Sequence, residues 1–514
     1  MISATTIMRY LRNSLVTIAL AIVLGLGVTA CDSVTGDLDK DPNQPLEVEA
    51  DLVLNGGQVG LLTLLEANFA RVASMFSQQM TGSTRQYNRI ENGYQLSSGD
   101  FDNAWSTGYA DAINEFGVVK EQGRRAGASV IVNIAKIQEA HAFGTFAALF
   151  GDVPFSEANQ GDNNLNPTFD DQVEIYNGIQ DSLAAAASAL EDYQANPDAP
   201  PLNLAFGDTD LDIFYGGDVE KWIRLAYSLK ARYHAHQGEY EDALTAANNG
   251  LQSPDQNWIG PHGTSFGSDS NVWFNFYVLR DGYLTAEEAY APQLLDNPAV
   301  TGSDSNPEYR GNAKTDEGSR FFSYYYAAPD YQVQFAPAFG FGASFPLFRY
   351  AENELIKAEA ILKTGGPNSD ALDALNNARN ANEDYFVDIV GGLCFSVNPD
   401  DPADCYQDYE IGDFQSGGMS FETPDGVSET TENALLTEIL EEKYLSLISN
   451  IEGWNEVRRT ENFLDIPLKQ GANELPQRWP YAQIEISANE NVSESPPNTQ
   501  ETPVNENLDY GPVN

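Results

Sequence analysis

The stretch RYAENELIKAEAILKTGGPNSDALDALNNAR, residues 349–379, decides the fold. Tyr350, Leu355, Ala358 and Leu362 recur at helical spacing, so they share one face of a helix. Gly365-Gly366-Pro367 then stops it, since glycine suits the turn after a helix and proline cannot continue one. A second stripe follows in Ala371, Leu372, Leu375 and Ala378, ending at Arg379. Small residues on both stripes let two helices approach closely, which predicts a helical hairpin. A second hairpin has the same design. Trp222, Leu225, Ala226, Leu229 and Tyr233 form a stripe, Gly238 breaks it, and Tyr240, Ala243, Leu244, Ala247 and Leu251 form the next. Both resemble tetratricopeptide-type units, although the repeats are degenerate and irregularly spaced.

Working outward, helices are expected at Leu52–Met80, around Trp105, Tyr109, Ile113 and Phe116, at Ile131–Leu149, and at Glu432–Ile451. Asp170–Leu190 reads as a helix able to pair with the Ile131 helix. The predicted class is mostly α, with long irregular loops and minor β, over a domain spanning residues 51–487. Two regions, 257–346 and 391–427, are rich in Gly, Asp, Ser and aromatics and show no sustained helical period. Loops of that length in a compact domain are usually functional. Residues 488–514 are rich in Asn, Glu and Pro, which predicts a frayed tail.

At the other end, Arg9 and Arg12 precede an uncharged run from Asn13 to Ala30, and Thr29-Ala30 stand directly before Cys31. This is the pattern of a lipoprotein signal peptide over residues 1–30, with cleavage before Cys31 and acylation of its thiol. More than one acyl chain anchors stably, since each buried CH₂ contributes roughly 0.8 kcal/mol. Residues 31–50, rich in Asp, Gly, Pro and Asn, read as a flexible tether. Cys394 and Cys405, the remaining cysteines, are close enough in sequence to close a disulfide loop in an oxidising compartment.

Among 514 residues, 27 basic side chains face 76 acidic ones, a net charge of −49. Nucleic acid and anionic membrane surfaces both need a positive footprint, so this balance argues against them as partners. Self-repulsion on this scale is tolerable where salt screens it, and at molar salt the screening length is about 3 Å. The composition reads as adaptation to brine.

No constellation for catalysis, metal or cofactor stands out. Gly263-Thr264-Ser265-Phe266-Gly267 fits the nucleophile-elbow pattern, but Pro261-His262 before it and Ser268-Asp269-Ser270 after it are not the strand and helix an elbow needs. His234 and His236, two apart on a helix, point to different faces. His141 stands alone on its helix and reads as a core histidine. Asp208, Asp210 and Asp212 match the start of a calcium loop, but Ile213 and Val219 replace the glycine and glutamate that complete it. Aromatic side chains are the more informative feature. Tyr87, Trp273, Tyr277, Tyr324 and Tyr326 are candidates for stacking on a sugar or packing on a peptide, and equally for anchoring the loops to the helices.

Several motifs together resemble the SusD/RagB family of outer-membrane nutrient-binding lipoproteins. Leu149-Phe150-Gly151-Asp152-Val153-Pro154 is similar to the family's turn after a long helix. Tyr215-Gly216-Gly217-Asp218 with Trp222, Leu229, Lys230 and Arg232 resembles a second segment, and Arg349-Tyr350-Ala351-Glu352 with Ala358-Glu359-Ala360 a third. Asn376 and Arg379 continue that third pattern. Glu442-Lys443-Tyr444, Glu452, Trp454 and Arg458-Arg459-Thr460 resemble its late helix, and Leu475-Pro476-x-Arg478-x-x-Tyr481 its closing motif, with Pro480 before the tyrosine instead of after it. Trp105 matches a region lining the binding face in relatives. The resemblance implies a non-catalytic, lipid-anchored protein facing the exterior. Such a protein sits over a TonB-dependent, SusC-like barrel and hands it an oligosaccharide or a peptide. A secreted glycan hydrolase and a free-standing adhesive repeat lipoprotein are the rival readings.

Overall fold

Wherever the sequence shows an apolar stripe closed by glycine, the computed structural model has a helix. It describes residues 50–196, 212–303, 305–326, 331–333, 336–391 and 405–513. Cys31, the expected signal peptide and nearly all of the expected tether lie outside these; Ala50 opens the first helix. The principal helices are α1 (Ala50–Glu66), α2 (Asn68–Phe76), α3 (Arg85–Glu91), α4 (Asp102–Ser106), α5 (Asn114–Ala126), α6 (Ser129–Phe150), α7 (Gln172–Ala195), α8 (Val219–His236), α9 (Tyr240–Ala247) and α10 (Val272–Leu279). Then come α11 (Gly318–Tyr324), α12 (Tyr350–Lys363), α13 (Asn368–Ile389), α14 (Thr431–Ser446) and α15 (Glu452–Arg459).

Successive helices stack in order: α5 on α6, α6 on α7, α7 on α8, α8 on α9, α9 on α12, and α12 on both α13 and α14. This is the pairwise stacking expected of tetratricopeptide-like units, and the fold is mostly helical. In the opening hairpin, Gly365 takes φ +71° and Gly366 donates to the Ile361 carbonyl (2.8 Å), closing α12 before Pro367 caps α13. Leu355, Ala358, Leu362, Ala371, Leu375 and Ala378 are all buried in one core cluster with Leu435 and Ile439 of α14. The approach of α6 to α8 is closer still: a Cβ on Gly144 would sit 2.3 Å from the Tyr233 ring, so only glycine fits.

The motifs behind the family resemblance turn out to be interhelical clamps. Glu359 on α12 accepts two hydrogen bonds from Arg459 of α15 (2.8 and 2.6 Å) and one from Lys443 of α14 (3.3 Å), all three side chains being buried. Arg232 on α8 forks onto Glu352 of α12 (2.7 and 2.8 Å). Arg478 donates to the Phe150 carbonyl and Trp479 N to that of Leu149 (2.8 Å), tying the closing motif to the turn after α6. Burial of the Glu359 and Arg232 clusters is tolerable because each charge is paired and hydrogen-bonded, while Arg478 rests on neutral acceptors, the Phe150 carbonyl and the Tyr481 hydroxyl.

Among the described residues, strand forms two antiparallel pairs besides isolated bridges. Residues β2 (Trp258–Gly260) and β4 (Phe345–Phe348) pair, so the long irregular region leaves and returns to the helical body at one place. β1 (Thr81–Gly82) pairs with β3 (Leu284–Thr285) and fastens that region beside the turn between α2 and α3.

Four expectations are corrected. The helix expected at Leu52–Met80 is two helices, interrupted at Ala67 and stopped at Phe76. Gln78 there adopts φ +57°, while Gln79 donates to the Tyr444 and Leu447 carbonyls, so tertiary hydrogen bonds override the local pattern. The aromatic helix around Trp105 contains a π-helical segment, Thr107–Ile113, between α4 and α5. The late helix ends at Ser446, and Ser449 at φ +68° turns the chain into α15. Finally, the tail is not frayed: Thr502, Val504 and Tyr510 are buried. Val504 N donates to the Gln172 side chain (2.9 Å), and the Tyr510 hydroxyl to Glu359 (2.9 Å). A few anchoring residues outweigh the polar composition.

Candidate functional site

A cleft of about 550 Å³ opens between α1, α2, α3, α4 and the end of α10. Its polar lining includes Thr63, Asn68, Arg71, Gln86, Asp100, Asn103, Thr107 and Arg280, and its apolar lining includes Phe276. Sequence-distant segments meet here because the β1–β3 pair brings α10 against α2. On α10, Trp273 and Tyr277 lie one turn apart and point into the core. Phe276 and Arg280, also one turn apart, line the cleft instead.

One wall is a fixed relay of hydrogen bonds. Arg71 Nε donates to the Tyr87 hydroxyl (3.1 Å), which donates to Asn68 Oδ1 (3.2 Å), while Asn68 Nδ2 donates to the Asp100 carbonyl (3.0 Å). The Arg71 guanidinium lies over the Phe276 ring, 4.5 Å from its centroid, a cation–π contact that orients it. Behind this wall, Glu66 and His262 form a buried pair (2.8 Å). Burial pushes the Glu66 carboxyl up despite His262. Burial pulls His262 down, but hydrogen bonding and charge from Glu66 carry it above the ordinary histidine value. The arrangement offers a prealigned aromatic and guanidinium surface with uncommitted amides and hydroxyls at Gln86, Asn103 and Thr107. It is equipped to hold a polyhydroxylated ligand without bond-making.

Of the aromatic candidates, only Tyr87 reaches this cleft, and its hydroxyl is already committed to Arg71 and Asn68. Trp105 is 3 % exposed and packs edge-on to Phe146 and Phe150. Trp273, Tyr277 and Tyr324 are 2 % exposed or less and gather around Phe339, with centroids 4.9 to 5.9 Å away. These four rings are therefore core, and a stacking role for them is corrected. The physical reason is that Trp105 fills the space beside α6, while the rings of the irregular region pack it onto the same core as the helices. Tyr326, 39 % exposed, remains at the surface, away from the residues lining the cleft.

The remaining motifs resolve as structure. Ser265 sits on an exposed turn whose backbone N donates to Asp269 (2.7 Å), and His262 faces Glu66. His141 is buried against the Tyr233 hydroxyl (2.7 Å), and burial pushes it down to about 3. His236 meets Glu452 (2.8 Å), whereas His234 meets Glu239 on another face. Asp208 and Asp210 lie outside the described residues. Asp212 accepts from Trp222, Gln58 and the Gly217 backbone, so its carboxylate is occupied by N–H donors. Cys405 is disulfide-bonded, and Cys394 lies outside the described residues. The apolar stretch Leu52–Phe76 is long enough to cross a membrane, but 78 % of its most apolar window is buried inside the protein, as core helices are.

Sequence reading missed Arg71, Asn68, Gln86, Asn103 and Arg280, while Phe276 belongs to the same aromatic run as Trp273 and Tyr277. Arg71 did carry a signal: it is the one charge in NFARVASMF, a helix otherwise bound for the core.

Comparison with known proteins identifies the fold. Residues 42–249 match a SusD-like family described as starch-binding and associating with the outer membrane. No curated protein matches the chain. Among solved structures, a SusD/RagB family protein from Bacteroides thetaiotaomicron is 21 % identical, with a TM-score of 0.59, over 87 % of this chain and 95 % of that one. A SusD homologue from Bacteroides fragilis is 18 % identical, with a TM-score of 0.63, over 89 % and 99 %. A chitin-binding SusD homologue from Flavobacterium johnsoniae is 14 % identical, with a TM-score of 0.61, over 89 % and 100 %. The resemblance read from the motifs is borne out: the chain has the SusD/RagB fold, and its residues 42–249 match the SusD-like, starch-binding family.

Proposed function

We propose that this protein captures an oligosaccharide in the α1–α4/α10 cleft at the cell surface and passes it to a SusC-like, TonB-dependent barrel. The observation that carries the reading is the cleft itself, with oriented Arg71 and Phe276 beside uncommitted Gln86, Asn103 and Thr107. It lies wholly within the family match except for the α10 residues. Such a set of groups binds sugar hydroxyls and ring faces by hydrogen bonding and apolar contact, with no covalent step. A hydrolase needs two carboxylates converging on one bond. Asp100 is the carboxylate that lines this cleft, and it is tied to Arg89 (2.8 Å) and Ser97. Anchoring through acylated Cys31, exposure on the outer face, a Cys394–Cys405 disulfide and folding tuned to brine belong to the same proposal.

The test is extraction from native membranes in mild detergent at high salt, followed by affinity capture. A large β-barrel transporter at near-equal amount supports the reading, with a glycan and peptide screen to follow. Absence of such a partner across several detergents points to a free-standing binding or adhesive lipoprotein, and binding of peptides alone moves the ligand class.

A further inference from the structure

The cleft's charge has the opposite sign to the molecule's. In a chain of net charge −49, the charged residues lining the cleft are Arg71, Arg280 and Asp100. Asp100 is neutralised locally: Oδ1 accepts from Arg89 (2.8 Å), and Oδ2 accepts from the Ser97 backbone N (2.7 Å) and hydroxyl (2.9 Å). Nearby Glu91 is paired with Lys469 (2.9 Å), and Glu66 with His262 (2.8 Å). The two arginines are not so matched. Arg71 commits Nε to Tyr87, and its Nη1 is buried without any acceptor. Arg280 is exposed, and its hydrogen bond is a long one to the carbonyl of its own neighbour Leu279 (3.4 Å). Neither forms a salt bridge among the described residues, although acids outnumber bases 76 to 27 in this chain.

Buried N–H groups left without acceptors are costly and call for an explanation. That Nη1 has no accessible surface, so what the cleft presents to an anionic oxygen is the rest of the Arg71 guanidinium, half-buried on the lining, and the exposed Arg280 side chain. Guanidinium suits this role because its planar fork matches carboxylate and sulfate oxygens. Phe276 under Arg71 holds that fork in place before the ligand arrives. The surrounding −49 charge repels an anion at long range, but at molar salt the screening length is about 3 Å, and direct contact with the arginines then decides.

We propose that the cleft is selective for an anionic oligosaccharide, a sugar chain bearing carboxylate or sulfate groups that Arg71 and Arg280 grip. This rests on the reading of the cleft as a glycan site and narrows its ligand class. Gln86, Asn103 and Thr107 then take the hydroxyls.

The experiment is calorimetric titration of the full chain, in molar salt, with four oligomers of matched length: oligogalacturonate, a sulfated galactan oligomer, and neutral malto- and chito-oligomers. The two anionic arms separate carboxylate from sulfate. The expected result is that one anionic oligomer binds at least about tenfold tighter than either neutral one. Arg280→Gln is expected to cut that affinity about tenfold, and Arg71→Gln more, while Arg280→Lys keeps part of it. Arg280 is exposed, so its variant reports on binding even if Arg71→Gln folds poorly. Neutral oligomers that bind as tightly as the anionic ones, or an anionic affinity unmoved by Arg280→Gln, overturn the proposal and leave the glycan site standing. Binding to none of the four overturns the glycan-site reading, and this proposal with it.

Discussion

Glu359→Gln is the sharpest perturbation of the clamp that joins α12, α14, α15 and the C-terminal tail. The native carboxylate accepts four hydrogen bonds: two from Arg459 (2.8 and 2.6 Å), one from Lys443 (3.3 Å) and one from the Tyr510 hydroxyl (2.9 Å). Although burial alone raises a carboxyl, Arg459 and Lys443 hold Glu359 far below the usual carboxylate range. An amide keeps one acceptor oxygen but turns an NH₂ toward cations, leaving Arg459 and Lys443 to share Glu456. Breaking a buried pair from one side costs about 3–5 kcal/mol, so a loss of about 4 kcal/mol is expected. Tyr510→Phe removes a single bond and should cost about 1 kcal/mol. Denaturant titration at fixed molar salt, followed by tryptophan fluorescence, measures both. The sign with pH is definite. A carboxyl depressed in the folded state contributes stability that is present above its unfolded value, 4.5, and lost as pH falls through the folded value. The gap between wild type and Glu359→Gln should therefore start to narrow as pH falls below 4.5 and keep narrowing toward the folded value. A Glu359→Gln loss under 1 kcal/mol at neutral pH, or a gap that widens in acid, refutes the reasoning.

Other consequences are equally concrete. Gly144→Ala drives a Cβ to within 2.3 Å of the Tyr233 ring, and thermal melting should show about 1–3 kcal/mol of overpacking strain; an unchanged melt contradicts the close α6–α8 approach. Trp105→Ala empties a buried site and should cost about 3–5 kcal/mol, whereas exposed Tyr326→Ala should stay within about 0.5 kcal/mol in the same melts. His262 is raised in the folded state, so its pairing with Glu66 stabilises fully below pH 6.5 and fades as pH rises through the folded value. A pH series of melts for His262→Gln against wild type should show the gap shrinking above neutrality.

The helical pairs were legible because each needs only local information: Leu and Ala at helical spacing, then Gly365 or Gly238 at the break. The motif residues were legible too, and the structure explains why they carry fold and not ligand. Glu359, Arg459, Arg232 and Glu352 hold helices to one another, and none of them lines the α1–α4/α10 cleft; Arg459 borders a separate cavity of about 360 Å³. The site was not legible, for three physical reasons. Its walls come from residues 63–107 and 276–280, joined by the two-residue strands β1 and β3, which are too short to show alternation. On α10, one step of the helix separates core rings (Trp273, Tyr277) from cleft residues (Phe276, Arg280), and composition alone cannot tell the two faces apart. The tail at Tyr510 shows the same limit, since one buried hydroxyl on Glu359 fixes a segment whose average composition reads as loose.

The central claim is that the ligand sits in the cleft beside Arg71 and Phe276. Asn103 and Gln86 are exposed on its lining, so a tryptophan at either position fills the cleft without disturbing the core. The most direct test is glycan-array binding of wild type beside Asn103→Trp and Gln86→Trp, with melting temperatures measured on the same samples. The account predicts that both variants melt like wild type and lose glycan binding. Glycan binding that survives both substitutions at wild-type strength would contradict it and move the site elsewhere on the fold.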